Sequence, residues 1–203
     1  RAQGESITTI PKLPKAKILA AGVGLYEFDD VPGQTMNEFT GVVLGSHPRN
    51  VLWTKPYGTP VPEGETPLPD CSSIDGKTGI PREGYAHPAL GREATGTERI
   101  GCAGCPLNQW SSATMIGKTG KGKACTNQRA VFVMMADRAL PVELVLPPTA
   151  LTAFAEYLTM LLNRGTPVQA LRTTFRKQRR ERGKLRWPRA TCHQGAALSA
   201  EEL

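Results

Sequence analysis

The sequence contains no long hydrophobic run. Its longest apolar helix candidate, residues 150–162, is interrupted by Thr152, Glu156 and Thr159. That is well short of the roughly 20 residues that span a bilayer, so a membrane-crossing helix is excluded and no membrane partner is expected. Residues 1–14 hold no apolar stretch that reads as a signal peptide, which makes the cytoplasm the expected compartment. Histidine is scarce: His47, His87 and His193 are the only three, each in a turn-like or terminal setting. There is no G-x-S-x-G, no H-E-x-x-H and no pair of carboxylates on one element. Asp29-Asp30 and Asp75 stand just before Pro- or Gly-containing turns, ordinary positions for aspartate. Binding rather than catalysis is therefore expected.

Gly and Pro, 21 and 17 of 203 residues, are abundant by contrast. Their usual combined share is roughly 12%, so long loops follow. Positive charge is concentrated in one place. Residues 175–189 hold Arg176, Lys177, Arg179, Arg180, Arg182, Lys184, Arg186 and Arg189 against Glu181 alone, a local excess equal to the +7 of the whole chain. The remainder is balanced, and a localised positive patch is the footprint of a polyanionic partner.

The chain length suits one domain or two. Residues 1–16 read as a polar arm, and residues 17–26 (KILAAGVGLY) as a strand. Residues 38–44 (EFTGVVL) and 50–53 (NVLW) read as a hairpin across Ser46, His47 and Pro48. From residue 55 to 123 apolar clusters vanish, and a loop of that length needs something other than a hydrophobic core to hold it. Strands return at 129–136 and 141–146. Leu151, Phe154, Ala155, Leu158, Leu161 and Leu162 then recur at helical spacing, with Thr149 as the expected N-cap and Gly165 as the stop. Residues 170–177 and 185–194 form a final basic hairpin around a turn at 181–183, with Pro188 placing the second strand at an edge. The fold class is mainly β, with one amphipathic helix.

The cysteines explain the loop-rich middle. Cys102 and Cys105 form a C-x-x-C pair on a turn allowed by Gly101 and Gly104, and Cys71 and Cys125 supply two more sulfurs. Four thiolates can close a tetrahedral structural Zn2+ site, which would do the work of the missing core over residues 55–125. A redox C-x-x-C would follow a strand and open a helix, and nothing before Cys102 reads as a strand; a disulfide framework would need an oxidising compartment. His87 is a candidate substitute ligand, and Cys192 reads as a core thiol. The neighbouring loop, with Lys118, Lys121 and Lys123, is not a P-loop, because Ser112 stands where the first glycine is required. Its ammonium groups can still meet phosphates.

Charge combined with aromatics narrows the polyanion. Trp53, Trp110, Phe175 and Trp187 lie in or beside basic or polar segments, and single-stranded nucleic acid is held by a positive groove whose aromatic faces stack on bases. The helix carries no Lys or Arg before Arg164, which disfavours a helix laid in a duplex groove. The candidate contacts are those aromatics together with Lys118, Lys121, Lys123, Arg172, Arg176, Lys177, Arg179, Arg180, Arg182, Lys184, Arg186 and Arg189.

The runs PDCSSIDG (69–76), CAGCPLNQWSS (102–112), GKGKAC (120–125), LPVELVLPPTAL (140–151) and the closing basic hairpin up to LSAEE (198–202) resemble a group of phage and mobile-element single-stranded-DNA-binding proteins. The resemblance covers residues 39–202. It implies a five-stranded oligonucleotide-binding barrel over residues 17–198 with a zinc-held insertion, in layout like the helix-destabilising protein of the T-even phages. That phage protein uses a histidine with three clustered cysteines, whereas Cys71 here lies far upstream. The resemblance further implies strand protection during replication or recombination in a bacterial host cell. Replication or recombination proteins would dock on an acidic tail that begins at residues 199–203. RNA, or an acidic protein gripped by a zinc-containing basic adaptor, are the alternative partners.

Overall fold

The computed structural model describes residues 13–18, 26–31, 33, 35–55, 59, 67–182 and 185–199. It is built around one long strand. In chain order the elements are β1 (Lys15–Ile18), β2 (Tyr26–Phe28), β3 (Thr35–Met36), β4 (Glu38–Leu52), β5 (Cys71–Ser73), β6 (Thr78–Pro81), β7 (Ala86–His87), β8 (Arg92–Glu93), β9 (Ile100–Gly101), β10 (Cys125–Met134), β11 (Val142–Leu146), α1 (Pro148–Asn163), β12 (Leu171–Arg182) and β13 (Leu185–Ala197). Among the described residues, eleven of these strands form one mixed sheet in the order β3-β2-β1-β11-β10-β4-β5-β6-β9, and β12 branches from β4 to carry β13. β7 and β8 pair separately.

The hairpin expected at residues 38–53 is instead the single strand β4. β10 runs beside it from Cys125 opposite Leu52 to Met134 opposite Val42, so Ser46, His47 and Pro48 are paired residues and no turn forms. Pro48 falls where β4 has a strand on one side only, because β12 stops at Val42 and β5 begins at Asn50. A proline is tolerated at such a local edge. The expected strand 17–26 is also corrected. β1 and β2 are two antiparallel strands, Ala16 opposite Phe28 and Ile18 opposite Tyr26, with residues 19–25 outside the described set.

Alternation along β4 and β12 sends Phe39, Val43, Leu171 and Phe175 inward. Phe39 stacks on Phe175 at 5.1 Å between ring centroids and meets Tyr26 and Phe28 edge-on at 4.9 and 5.6 Å. The β2 end of the sheet thus curls over toward β12, and among the described residues no strand pair joins the two. The mainly β fold with one helix is therefore present as a large, curled mixed sheet. Gly41 is required where the strands close up: a Cβ there would lie 2.5 Å from the carbonyl oxygen of Met134.

α1 seats Ala150, Phe154, Tyr157 and Leu161 against the sheet, and the Tyr157 hydroxyl meets Thr173 Oγ1 at 2.8 Å. Thr149 is not its N-cap. Pro147 takes that position and Pro148 the first turn, where a missing N–H has no consequence. Gly165, at φ +66°, ends the helix as expected. The basic hairpin is present as β12–β13, and Pro188 lies on a strand whose only sheet partner among the described residues is β12.

Candidate functional site

The middle segment folds onto the C-terminal end of β4. Leu52 is in register with Cys71 on one side and Cys125 on the other, so the sheet itself delivers two of the four cysteines from positions 54 apart in the chain. The C-x-x-C turn supplies the other two. Cys102 N–H donates to Lys77 O at 2.7 Å, while Asn108 caps the turn through Nδ2 to Cys102 O at 2.9 Å and N–H to Cys105 O at 3.0 Å. Gly79 makes room for the sulfurs: a Cβ there would stand 3.1 Å from Cys71 Sγ and 3.6 Å from Cys102 Sγ. All five cysteines are free thiols.

Cys71, Cys102, Cys105 and Cys125 line one cavity of about 20 Å³ together with His87 and apolar neighbours such as Leu52 and Leu107. That is about the space of one water-sized particle. Among the described residues, no three Cys, His, Asp or Glu side chains have closed to metal-holding geometry. Burial pushes the Cys71 thiol up to about 12 and the Cys125 thiol up to about 11, and the neighbouring cysteines add to both. Thiolate charge in this cavity therefore needs a cation.

His87 is almost fully buried, and burial pushes its pKa down. Its Nδ1 accepts the Ala89 N–H at 3.1 Å, so in the neutral ring the proton is assigned to Nε2. Nε2 points at Cys105 Sγ, 3.9 Å away. This arrangement sets His87 against Cys105 at the edge of the four-sulfur cavity, where its Nε2 serves either as a hydrogen-bond partner of the sulfur or as the substitute ligand expected from the sequence. Asp70 locks the segment to the sheet, accepting Thr54 N–H and Oγ1 at 2.7 Å and Arg82 Nη2 at 2.9 Å. Burial alone would raise the Asp70 pKa, but these bonds outweigh it and hold the carboxyl below its ordinary value.

Trp53, Trp110 and the three loop lysines gather on the outside of this cysteine module. Trp110 is 76% exposed and Trp53 37%. Lys123 Nζ lies 5.8 Å from the Trp110 ring centroid, and Lys118 Nζ donates to Trp53 O at 3.1 Å. Lys121 is exposed on the same loop, and its carbonyl holds the N–H of Ser111, whose left-handed φ of +68° follows Trp110 directly. Indoles beside ammonium groups form a surface suited to stacking and charge pairing.

The basic hairpin attaches at the other end of β4. Arg176 pairs with Glu38 across the ladder and by an ion pair at 2.6 Å, Lys177 N–H donates to Asn37 O at 3.4 Å, and from Gln178 onward the strand pairing among the described residues is between β12 and β13. Phe175 is corrected as a stacking residue: it is fully buried, because inward positions of β12 alternate with Arg172, Thr174 and Arg176. Lys177 is half-buried, and burial lowers its pKa. Arg179, Arg180, Arg182, Arg186, Trp187 and Arg189 lie on the two strands with their side chains outside the described set, and Lys184 is outside it altogether. The lysine face and the arm therefore join β4 at opposite ends, roughly 45 Å apart along the strand by its rise per residue.

No protein-family model matches the chain, and comparison with curated proteins and with solved structures gave no significant match. Among the described residues, no helix is long and apolar enough to cross a membrane.

Proposed function

We propose that this protein binds single-stranded DNA without sequence preference, as a non-catalytic coat for exposed strands during replication or recombination. The observation that carries the reading is Trp110. An indole left 76% exposed, with the Lys123 ammonium over its ring, presents its face to solvent on the same module where Lys118 holds the carbonyl of the partly exposed Trp53. Such a ring offers a base a stacking platform worth about 1–3 kcal/mol. The arm adds the electrostatic share, since each phosphate it neutralises releases counterions.

In this reading the curled sheet is an opened relative of the oligonucleotide-binding barrel, and the cysteine module is a zinc-held insertion. The donor set fits the metal: four free thiols line one particle-sized cavity in which thiolate needs a cation. Cys71, Cys102, Cys105 and Cys125 would hold Zn2+ in a closed structural role, with His87 hydrogen-bonded to Cys105 from outside the ligand set. When bound, the ion supplies folding energy and no reactive position.

Fluorescence anisotropy with labelled oligo-dT, duplex DNA and RNA of matched length over a salt series tests the reading. Tight, salt-dependent preference for oligo-dT is expected. Equal binding of duplex would overturn it, RNA preference would move the function to RNA, and retention only of an acidic protein would make the chain an adaptor.

A further inference from the structure

A second surface flanks the cysteine module. On β10, Cys125, Asn127 and Arg129 share the face of core residues Val131 and Val133 by the two-residue period of a strand. The core therefore gives way to a polar strip before the cysteines begin. Over that strip, between α1 and the cysteine module, lies a groove of about 450 Å³. This is within the size range of small-molecule sites. Its lining includes Asn50, Asn108, Asn127, Lys77, Arg129 and Leu151, and among the described residues no carboxylate.

The amides hold one another in place. Asn127 Nδ2 donates to Asn50 Oδ1 at 2.6 Å and reaches toward Asn108 Oδ1 at 3.4 Å, while Asn50 Nδ2 donates to Gly76 O at 3.1 Å. With both amide hydrogens of Asn127 so directed, its Oδ1 is left as an acceptor to which no described residue donates. Arg129 is steadied by Nη1 donating to Ser46 Oγ at 2.8 Å. The exposed Ala155 and half-buried Leu151 of α1 form an aliphatic wall.

A fixed acceptor, an aliphatic wall and two cations without a carboxylate match the parts of one nucleotide. We infer that this groove takes a single nucleotide of the bound strand, base inward. An amino-bearing base, adenine or cytosine, would donate its exocyclic N–H to Asn127 Oδ1, its ring would pack on Leu151 and Ala155, and Lys77 and Arg129 would meet phosphate. The inference deepens the strand-binding reading and rests on it for the source of the nucleotide, adding a base bias at this one position to binding that is otherwise carried by stacking and charge and is indifferent to sequence.

The test titrates the intact protein with dAMP, dCMP and dTMP, observed by ligand NMR, and repeats the titration on Ala155→Trp and Asn127→Ser. Ala155→Trp fills the groove from an exposed helix position and leaves the amide network untouched, so its fold is not at risk. The expected result is that dAMP and dCMP bind more tightly than dTMP and that each variant weakens them roughly tenfold or more, as removal of a specific base contact does. Full oligo-dT binding with no mononucleotide binding, or dAMP binding indifferent to Ala155→Trp, would overturn the inference while leaving the strand-binding reading in place. Groove-dependent dAMP binding without oligonucleotide binding would do the reverse.

Discussion

Two aromatic residues that look alike in the sequence differ completely in what they do. Phe175 and Trp110 both sit beside basic or polar neighbours, yet Phe175 is fully buried against Phe39 and Trp110 is mostly in water. Phe175→Ala should cost about 3–5 kcal/mol of stability in denaturant unfolding, the usual range for emptying a buried Phe site. Trp110→Ala should leave the midpoint in place and weaken oligonucleotide binding by about 1–3 kcal/mol. Equal effects of the two on stability would show that Trp110 is a packing residue. Asp70 makes a pH prediction. Its folded-state pKa is depressed, so the stability it adds is present above the unfolded value near 3.9 and is lost as pH falls through the lower folded value. The stability gap between the native protein and Asp70→Asn should therefore narrow on acidification below about pH 4, measured by thermal unfolding across pH. A gap that widens there would contradict the hydrogen-bond assignment.

At the scale of elements, the arm and the module are separate devices and should fail separately. Replacing Arg176, Arg179, Arg180 and Arg182 by Gln should leave unfolding unchanged, sharply reduce oligonucleotide affinity, and flatten its salt dependence by roughly 0.7 in slope for each phosphate the arm no longer neutralises. An unchanged salt slope would remove the arm from the binding surface. If the module holds Zn2+ as proposed, chelation should release hydrogen-exchange protection at β5, β6 and β9 while β4, β10, β11 and α1 keep theirs, because the module's own core is small: Leu52, Cys105, Leu107 and Ala124 with a few half-buried neighbours. Module protection that survives chelation would argue against structural zinc. A cobalt-substituted sample should give the same charge-transfer absorption in the native protein and in His87→Asn; a shifted band would make His87 a ligand.

These elements also mark what could be read from the chain. α1, β10, β11 and the basic hairpin were legible because local periodicity and turn residues decide them. β4 was not, since Ser46, His47 and Pro48 carry a turn signal that the ten-residue ladder with β10 overrides. The short strands β5 to β9 were hidden because two-to-four-residue ladders leave no periodicity. At the site, the C-x-x-C pair was plain, but the meeting of Cys71 and Cys125 depends on their shared register with Leu52, a long-range pairing that spacing does not encode. The amide groove had no sequence signal, because asparagines in strands are silent until the chain brings them together.

Across the whole molecule, one strand organises three surfaces. β4 carries the arm at Glu38, backs the amide groove at Asn50 and ends in the cysteine module at Leu52. A strand of nucleic acid lying along it would meet charge, a base-sized groove and stacking indoles in turn. The most direct test is anisotropy of the intact, zinc-quantified protein with oligo-dT against duplex of equal length, from low to physiological salt. Strong preference for the single strand, weakening as salt rises, is the expected result. Equal affinity for duplex, or binding insensitive to salt, would contradict single-strand binding as the function.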